Sequence, residues 1–545
     1  MTASSNLPAT TRRAAIMASA ALGGANIHIR ESQAQRSETV LRVGMTASDI
    51  PSVTGQPDQG SEGWRFTGVT LYDGLVNWDL SRADRPSTLA PGLATHWQVD
   101  AADRRRWVFT LRPGVKFHDG SDWNADAAIW NLVKLTDQNA PQYDRRQVAQ
   151  TYGRMGYIAG FEKLGEFSIS ISTHEPDALL PYYFGRIFFS SPTQWEKVGR
   201  SWEAFARAPS GTGPWKFASI VPRQRLEMVK NTEYWDQARV PKTDRLVLLP
   251  IPDANTRVAA LLSGQVDWIE APPPDAVPRL RQQNMQIVTN SYQHTWPWVL
   301  NLNTGSPFAD IRVRKALNLG IDRAAISNML GGFGAPAVGQ VPPGHPWFGN
   351  PSFRIRHDPA EARRLLAEAG FGPNNPVRAK IIISASGSGQ MQPMMMNEAI
   401  QEMVRPLGIE ISFEVVDWAA MVQSRLKGSR DASQRGLHGL NYSWVWVDPD
   451  FGFITALDSR KTAPRGNNWG YVEQPEFDAF SDRIRAEFDP AKQDQVVAEM
   501  HTRMVDECVW LWVVHDMNAR AMTARVKGFV QAQNWIQDLT PVRME

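Results

Sequence analysis

The sequence holds one cysteine, Cys508, in 545 residues. That excludes an intramolecular disulfide, a paired-cysteine redox motif and a cysteine-rich zinc site. The thiol lies in the apolar run Cys508-Val509-Trp510-Leu511-Trp512-Val513-Val514 and reads as buried and inert. No apolar run approaches the ~20 residues that a membrane-spanning helix needs. An excess of one charge is also lacking, with 58 basic residues against 56 acidic ones. Nucleic acids and anionic membranes are held by basic surfaces, so neither is an expected partner. The one basic triplet singled out, Arg104-Arg105-Arg106, reads as a solvated turn.

Catalytic motifs are equally scarce. There is no Gly-Lys dipeptide and hence no P-loop, no HExxH helix and no GxSxG elbow. Gly332-Phe333-Gly334 follows a helical stretch rather than a strand, so it reads as a loop and not a dinucleotide cradle. The 10 histidines are scattered without metal-ligand spacing. His118-Asp119 and His515-Asp516 read as turn or hinge hydrogen bonds rather than acid–base pairs. The expectation is a protein that is not an enzyme and carries no catalytic residue, cofactor or metal.

What is present begins at the N-terminus. Thr11-Arg12-Arg13 precedes an apolar stretch from Ala14 to Ala25, and Ser32-Gln33-Ala34 supplies small residues suited to a signal peptidase. Residues 1–34 therefore read as a twin-arginine export signal. With no cysteine at the cleavage point, a soluble periplasmic protein without a lipid anchor is expected. Beyond Glu38, short strands alternate with capped helices. Trp107, Phe109 and Leu111 alternate with polar or smaller residues before the turn at Arg112-Pro113-Gly114. Asn124 and Asp253 are placed to cap helices, and Asp310 to start a long one towards Leu330. Asp358-Pro359-Ala360-Glu361 is a capping box with proline in the first turn. A helix from about Met394 stops near Pro406-Leu407-Gly408, and Ile409, Ile411, Phe413 and Val415 then alternate as a strand. Helix, turn and strand in that order imply an α/β fold. Pro272-Pro273-Pro274 is a rigid loop, and no linker separates the chain into independent pieces.

Aromatics are plentiful, with 21 tryptophans. In Tyr442-Ser443-Trp444-Val445-Trp446-Val447-Asp448-Pro449, an extended backbone sets Tyr442, Trp444 and Trp446 on one face. Such a face is either sheet core or a platform for a ligand.

Several segments resemble the peptide/nickel-type extracellular solute-binding proteins of bacterial ABC importers. They include Leu71-Tyr72-Asp73-Gly74-Leu75-Val76, Leu89-Ala90-Pro91-Gly92-Leu93, and Trp107-Val108-Phe109-Thr110-Leu111-Arg112-Pro113-Gly114-Val115-Lys116-Phe117-His118-Asp119-Gly120. Gly211-Thr212-Gly213-Pro214-Trp215, Asn231-Thr232-Glu233-Tyr234-Trp235, Leu261-Leu262-Ser263-Gly264-Gln265-Val266-Asp267, Asp310-Ile311-Arg312-Val313-Arg314-Lys315-Ala316-Leu317 and Val526-Lys527-Gly528-Phe529 follow in family order. The resemblance implies a two-lobed α/β periplasmic binding fold of the large type with hinge-crossing strands. Lobe one takes 38–298 plus 513–545, with an inserted subdomain roughly over 75–205, and lobe two takes 299–512. It also implies a monomer that closes on a solute, peptide or peptide-like by family default, and delivers it to an inner-membrane permease.

The peptide anchors of the family are not matched. The aspartate expected three positions before Asp448 is replaced by Val445. No basic group follows Ile381-Ile382-Ile383, where Ser384-Ala385-Ser386-Gly387-Ser388-Gly389 stand. A buried ammonium without a carboxylate costs on the order of several kcal/mol. An oligosaccharide, an opine-like conjugate or a chelated metal is therefore the alternative solute, with a secreted hydrolase or lectin-like adhesin as the rival class. The expected ligand-binding residues are Trp64, Arg65, Ser386, Ser388, Tyr442, Trp444, Val445, Trp446 and Asp448. Arg65 is expected either to meet an anionic group or to form a surface salt bridge.

Overall fold

The computed structural model describes residues 38–385 and 392–545. The export signal expected over 1–34, and with it Ser386 and Ser388, lie outside the described residues. Two large sheets organise the rest. The first runs Gln286–Val288, Arg520–Met522, Trp268–Glu270, Val40–Met45, Arg245–Pro250, Arg225–Lys230 and Trp215–Val221. The second runs Gly334–Pro336, Trp510–Asp516, His294–Leu300, Gly439–Asn441, Val377–Ser384 and Ile409–Val416, with Trp444–Val445 also paired to His294–Leu300. Each is covered by helices, which gives the two-lobed α/β architecture.

A four-stranded antiparallel sheet, Ala94–Val99, Arg106–Leu111, Ser168–Thr173 and Ile158–Gly165, forms a separate layer within the first half of the chain. Arg104 and Arg105 make the turn before its second strand, where Arg105 and Arg106 pair with Asp103 and Asp100.

The chain crosses from the first sheet to the second between Val288 and His294, and returns between Asp516 and Arg520. The two strands at these crossings, His294–Leu300 and Trp510–Asp516, lie side by side and antiparallel. The expected boundaries at 298/299 and 512/513 fall inside these strands. Tyr292 donates to Asp516, and Thr295 bonds His515 and the Gln340 carbonyl, so the crossing is tied by buried polar contacts. His515 and Asp516 thus serve the hinge region.

The capped helices form where the side chains dictate. Asn124, Asp253 and Asp358 accept from the backbone N–H groups of Ala127, Thr256 and Glu361. Ile409–Val416 buries Ile409 and Ile411 and exposes Glu410 and Ser412. The long helix expected from Asp310 is two helices, Ile311–Gly320 and Arg323–Met329. Ile321 is extended and Asp322 caps the second, because its carboxylate offers the Ala325 N–H a better partner than a continued helix does.

The recurring motifs hold the first lobe together. Buried Asp73 accepts from Thr212, Tyr234 and Trp235, which joins three of them at one carboxylate. A Cβ at Gly211 would stand 2.1 Å from the Leu71 carbonyl oxygen, so only glycine permits that approach. Cys508 is buried with its S–H on the Val505 carbonyl, and burial pushes its pKa up to about 12. That is an inert thiol.

Candidate functional site

The segment 442–447 alternates as the sequence implies, but the two faces have different neighbours. Tyr442 stacks on Trp418 at 4.8 Å between ring centroids. Trp444 is 1% exposed, lies 4.9 Å from the Trp510 ring and donates to the Phe451 carbonyl. Trp446 donates to Thr295 and packs edge-on to His345. Both indoles therefore belong to the interior of the second lobe, and the expected aromatic platform is core. Val445 and Val447 take the other face. They pack in a buried cluster with Trp78, Leu80, Tyr292, Trp535 and Ile536, all outside the second sheet, and with Tyr182 against it. The position that lacks the family's aspartate is thus apolar in its surroundings as well.

After this segment Asp448 caps a turn of π-helix, Asp450–Ile454, by accepting from the Phe451 N–H. This cap aims Asp448 and Asp450 at the first lobe. Asp450 accepts from Tyr157 at 3.1 Å and from Arg485 at 2.5 Å. Burial pushes its carboxyl up to about 6 against the pull of Arg485. Arg485 also reaches Asp177 at 2.6 Å and Tyr183 at 2.7 Å, while its carbonyl accepts from the Ala178 N–H. Its guanidinium stands 3.8 Å from the Tyr157 ring. One arginine from the second half of the chain thus holds three side chains that belong to the first-half layer or face it.

Beside this cluster lies Arg186, which neighbours Asp448 at 4.0 Å and is 3% exposed. Its guanidinium lies 4.6 Å from the Trp64 ring and 5.5 Å from the Phe451 ring. Arg154, half-buried, lies 5.1 Å from the same Trp64 ring. Burial, with Arg154 adding to it, lowers the Arg186 pKa to about 9. Arg186 Nε and Nη1 have no hydrogen-bond partner.

Trp64, expected to line the cleft, has two cations over its ring, those of Arg154 and Arg186. Arg65 does not face that group. It is 1% exposed, and its Nη2 donates to Glu62 at 2.9 Å and to Glu270 at 2.5 Å. The ion pair is buried rather than on the surface, because the π-helix Trp64–Gly68 turns Arg65 inward towards Trp268–Glu270. Sequence reasoning missed Arg154, Arg186 and Arg485. The available signal for Arg186 was a lone cation in the aromatic stretch Tyr182-Tyr183-Phe184-Gly185-Arg186-Ile187-Phe188-Phe189. Among the described residues no group of three or more His, Cys, Asp and Glu side chains is arranged to hold a metal, and no helix is long and apolar enough to cross a membrane.

A sequence profile described as "Bacterial extracellular solute-binding proteins, family 5 Middle" matches residues 88–463. The chain belongs to the family 5 bacterial extracellular solute-binding proteins. This family 5 protein is accordingly the solute-binding component of an ABC importer. It is 25% identical over 510 residues to di/tripeptide-binding protein 2 of Pseudomonas aeruginosa, which covers 89% of this chain and 93% of that one. It is 26% identical over 479 residues to heme-binding protein A of Haemophilus influenzae, covering 85% and 84%. The crystal structure of a dipeptide-binding protein from Pseudoalteromonas sp. SM9913 with Met-Leu has the same fold, with a TM-score of 0.79 and 21% identity over 93% of this chain and 100% of that one. The relatives named here are binding proteins.

Proposed function

We propose that this family 5 protein is exported through residues 1–34, works as a soluble periplasmic monomer, and carries an unaltered peptide or peptide-like solute to an inner-membrane permease. Lobe one would comprise 38–298 with 513–545, and lobe two 299–512. The observation that carries the reading is the set of contacts made by Arg485 to Asp177, Tyr183 and the Ala178 N–H, beside a double crossing of the chain. Two lobes joined by a hinge, with bonds that form only where they meet, can exchange open and closed states, and a solute that touches both favours closure. The names of the relatives support peptides as the default class. The apolar setting of Val445 favours a second reading, a solute without the free ammonium of an ordinary peptide.

Small-angle scattering of the processed chain, titrated with a peptide library, tests this. The radius of gyration should fall with a bound solute that is recovered unchanged. Arg485→Gln removes charge-assisted bonds, each contributing about 1.5–3 kcal/mol, and should weaken that solute about tenfold or more. A chain that never contracts, or that turns its solute over, sinks the proposal. Changing Arg12 and Arg13 to lysine should stop export of a reporter fused to residues 1–34.

A further inference from the structure

Six arginines of the described chain are buried: Arg65, Arg186, Arg257, Arg314, Arg323 and Arg520. Five place at least one guanidinium nitrogen on an oxygen. Arg65 meets carboxylates, while Arg257, Arg314 and Arg323 donate to backbone carbonyls. Arg520 donates to the Asn518 carbonyl and lies 3.7 Å from Glu270. Arg186 alone among them makes no side-chain hydrogen bond. It meets ring faces and one carboxylate at 4.0 Å.

Arg186 lies between the Trp64 ring of the first lobe and Phe451 and Asp448 of the second, at the junction where closure brings the lobes together. A second cation, Arg154, shares the Trp64 ring. Arg485 occupies Asp177 and Asp450, and Arg460 takes Asp458 and Asp482, so Asp448 is the carboxylate left to both Arg154 and Arg186. A buried charge is tolerated when it meets a partner of opposite sign. Phe451, which Arg186 meets, packs against an apolar cluster that holds Trp78, Val445, Val447 and Trp535.

We infer that Arg186, supported by Arg154, is the anchor for an anionic group of the solute, a carboxylate or phosphate set beside an apolar or aromatic body. The planar guanidinium fork suits either group, with two parallel N–H···O bonds. Trp64 holds the fork from one side through its ring face. The solute's charge requirement is then the reverse of a family anchor for ammonium, which Val445 does not supply. This inference rests on the cleft reading proposed above and names the chemistry that the cleft selects.

The test uses N-acetylated dipeptides with one aromatic side chain, each made as carboxylate, phosphonate and carboxamide, and the matching free-amine carboxamides. Affinity is read by calorimetry and closure by scattering. The carboxylate or the phosphonate should bind at least about tenfold tighter than the carboxamide, and the tighter of the two identifies the source of the anion. Arg186→Gln should weaken the acid about 10- to 100-fold and leave the carboxamide unchanged, with Arg186→Lys between, because the charge survives and the fork does not. Arg154→Gln should weaken it less. A carboxamide or free amine that binds as tightly as the acids overturns the inference. So does an Arg186→Gln protein with undiminished affinity for the acid. If a neutral or cationic member contracts the chain, the transport reading stands and this one falls. If no member binds or contracts it, both fall.

Discussion

Arg65 and Arg186 are two buried guanidinia of the same lobe, each near a tryptophan and a phenylalanine ring but with different countercharges. Arg65 has Glu62 and Glu270 at hydrogen-bond distance and Arg520 sharing Glu270. Arg186 has tryptophan and phenylalanine rings and a second arginine. Both keep Nε and Nη1 without a partner, so hydrogen-bond saturation does not separate them. Countercharge does. Burial works against the charge of Arg65, but Glu270 and Glu62 outweigh it and hold its pKa above the ordinary value, whereas burial and Arg154 bring Arg186 down. A buried cation supplied with carboxylates by its own chain is part of the scaffold. One whose nearest carboxylate stands at 4.0 Å, beyond hydrogen-bond reach and shared with a second arginine, has room for a partner from elsewhere.

The comparison breaks most visibly at Glu270. Glu270→Ala would leave Arg65 with Glu62 alone at hydrogen-bond distance and would take from Arg520 the carboxylate it neighbours at 3.7 Å. Breaking a buried pair in this way costs about 3–5 kcal/mol. Urea unfolding should show that loss in the midpoint. An unchanged midpoint would mean that countercharge is not what distinguishes the two arginines.

Trp444→Ala sharpens the same contrast on the second lobe. The indole is core, packed on Trp510 with its N–H on the Phe451 carbonyl, so its removal should cost about 3 kcal/mol, at the low end for a buried tryptophan. Solute affinity, measured below the melting transition, should fall far less than for Arg186→Gln. A large loss of affinity with normal stability would return the indole to the cleft.

Acid tests the same cost of burying a cation without a partner. His118, His294, His345, His501 and His515 are held neutral by burial, with pKa values lowered to about 4, 3, 4, 4 and 3. Such a ring takes up its proton only once unfolded. The stability it lends is full above pH ~6.5 and is lost as the pH falls towards the lowered value. From pH 7 to 5.5 each ring accounts for about 1 kcal/mol of loss. Asp450 and Asp516, pushed up to about 6 by burial, act the other way, as does the raised Glu270, because the folded state binds their protons first. The net loss should be about 2 kcal/mol over that interval, read as a falling melting temperature. A protein more stable at pH 5.5 than at 7 would show that the carboxyls dominate.

Much of this was legible in the chain. The caps at Asn124, Asp253 and Asp358 and the alternation from Ile409 are local chemistry, and the motif series fixed the family because turns and close glycine contacts recur with the fold. The period of 442–447 was also readable, but a period of 2 gives two faces and does not say which meets the other lobe. That depends on strand Trp444–Val445 pairing with His294 and Thr295, some 150 residues away. The break at Ile321-Asp322 was missed because the apolar stripe continues across it, although Asp322 offered a cap. Arg65 and Arg186 look alike in sequence, each a cation beside aromatics. Only the fold brings Glu270 to one and Arg154 to the other.

The smallest expected effect is the one that separates structure from function at Arg186. Arg186→Met keeps the side-chain volume and removes the charge. Lost with it are two ring contacts, each about 0.5–2 kcal/mol, and a weak attraction to Asp448 at 4.0 Å. Gained is the desolvation cost of a guanidinium, several kcal/mol, together with relief from Arg154. Asp448 keeps the Phe451 N–H and the field of Arg154, so it is not stranded. The terms nearly cancel, and the unliganded protein should lie between unchanged and about 1 kcal/mol more stable. A scaffold arginine cannot behave in that way: removal of Arg65 strands Glu62 and Glu270, and removal of a structural Arg186 would lower the unfolding midpoint by a comparable amount. Stability retained while anion affinity is lost is therefore the signature of a residue kept for its guest.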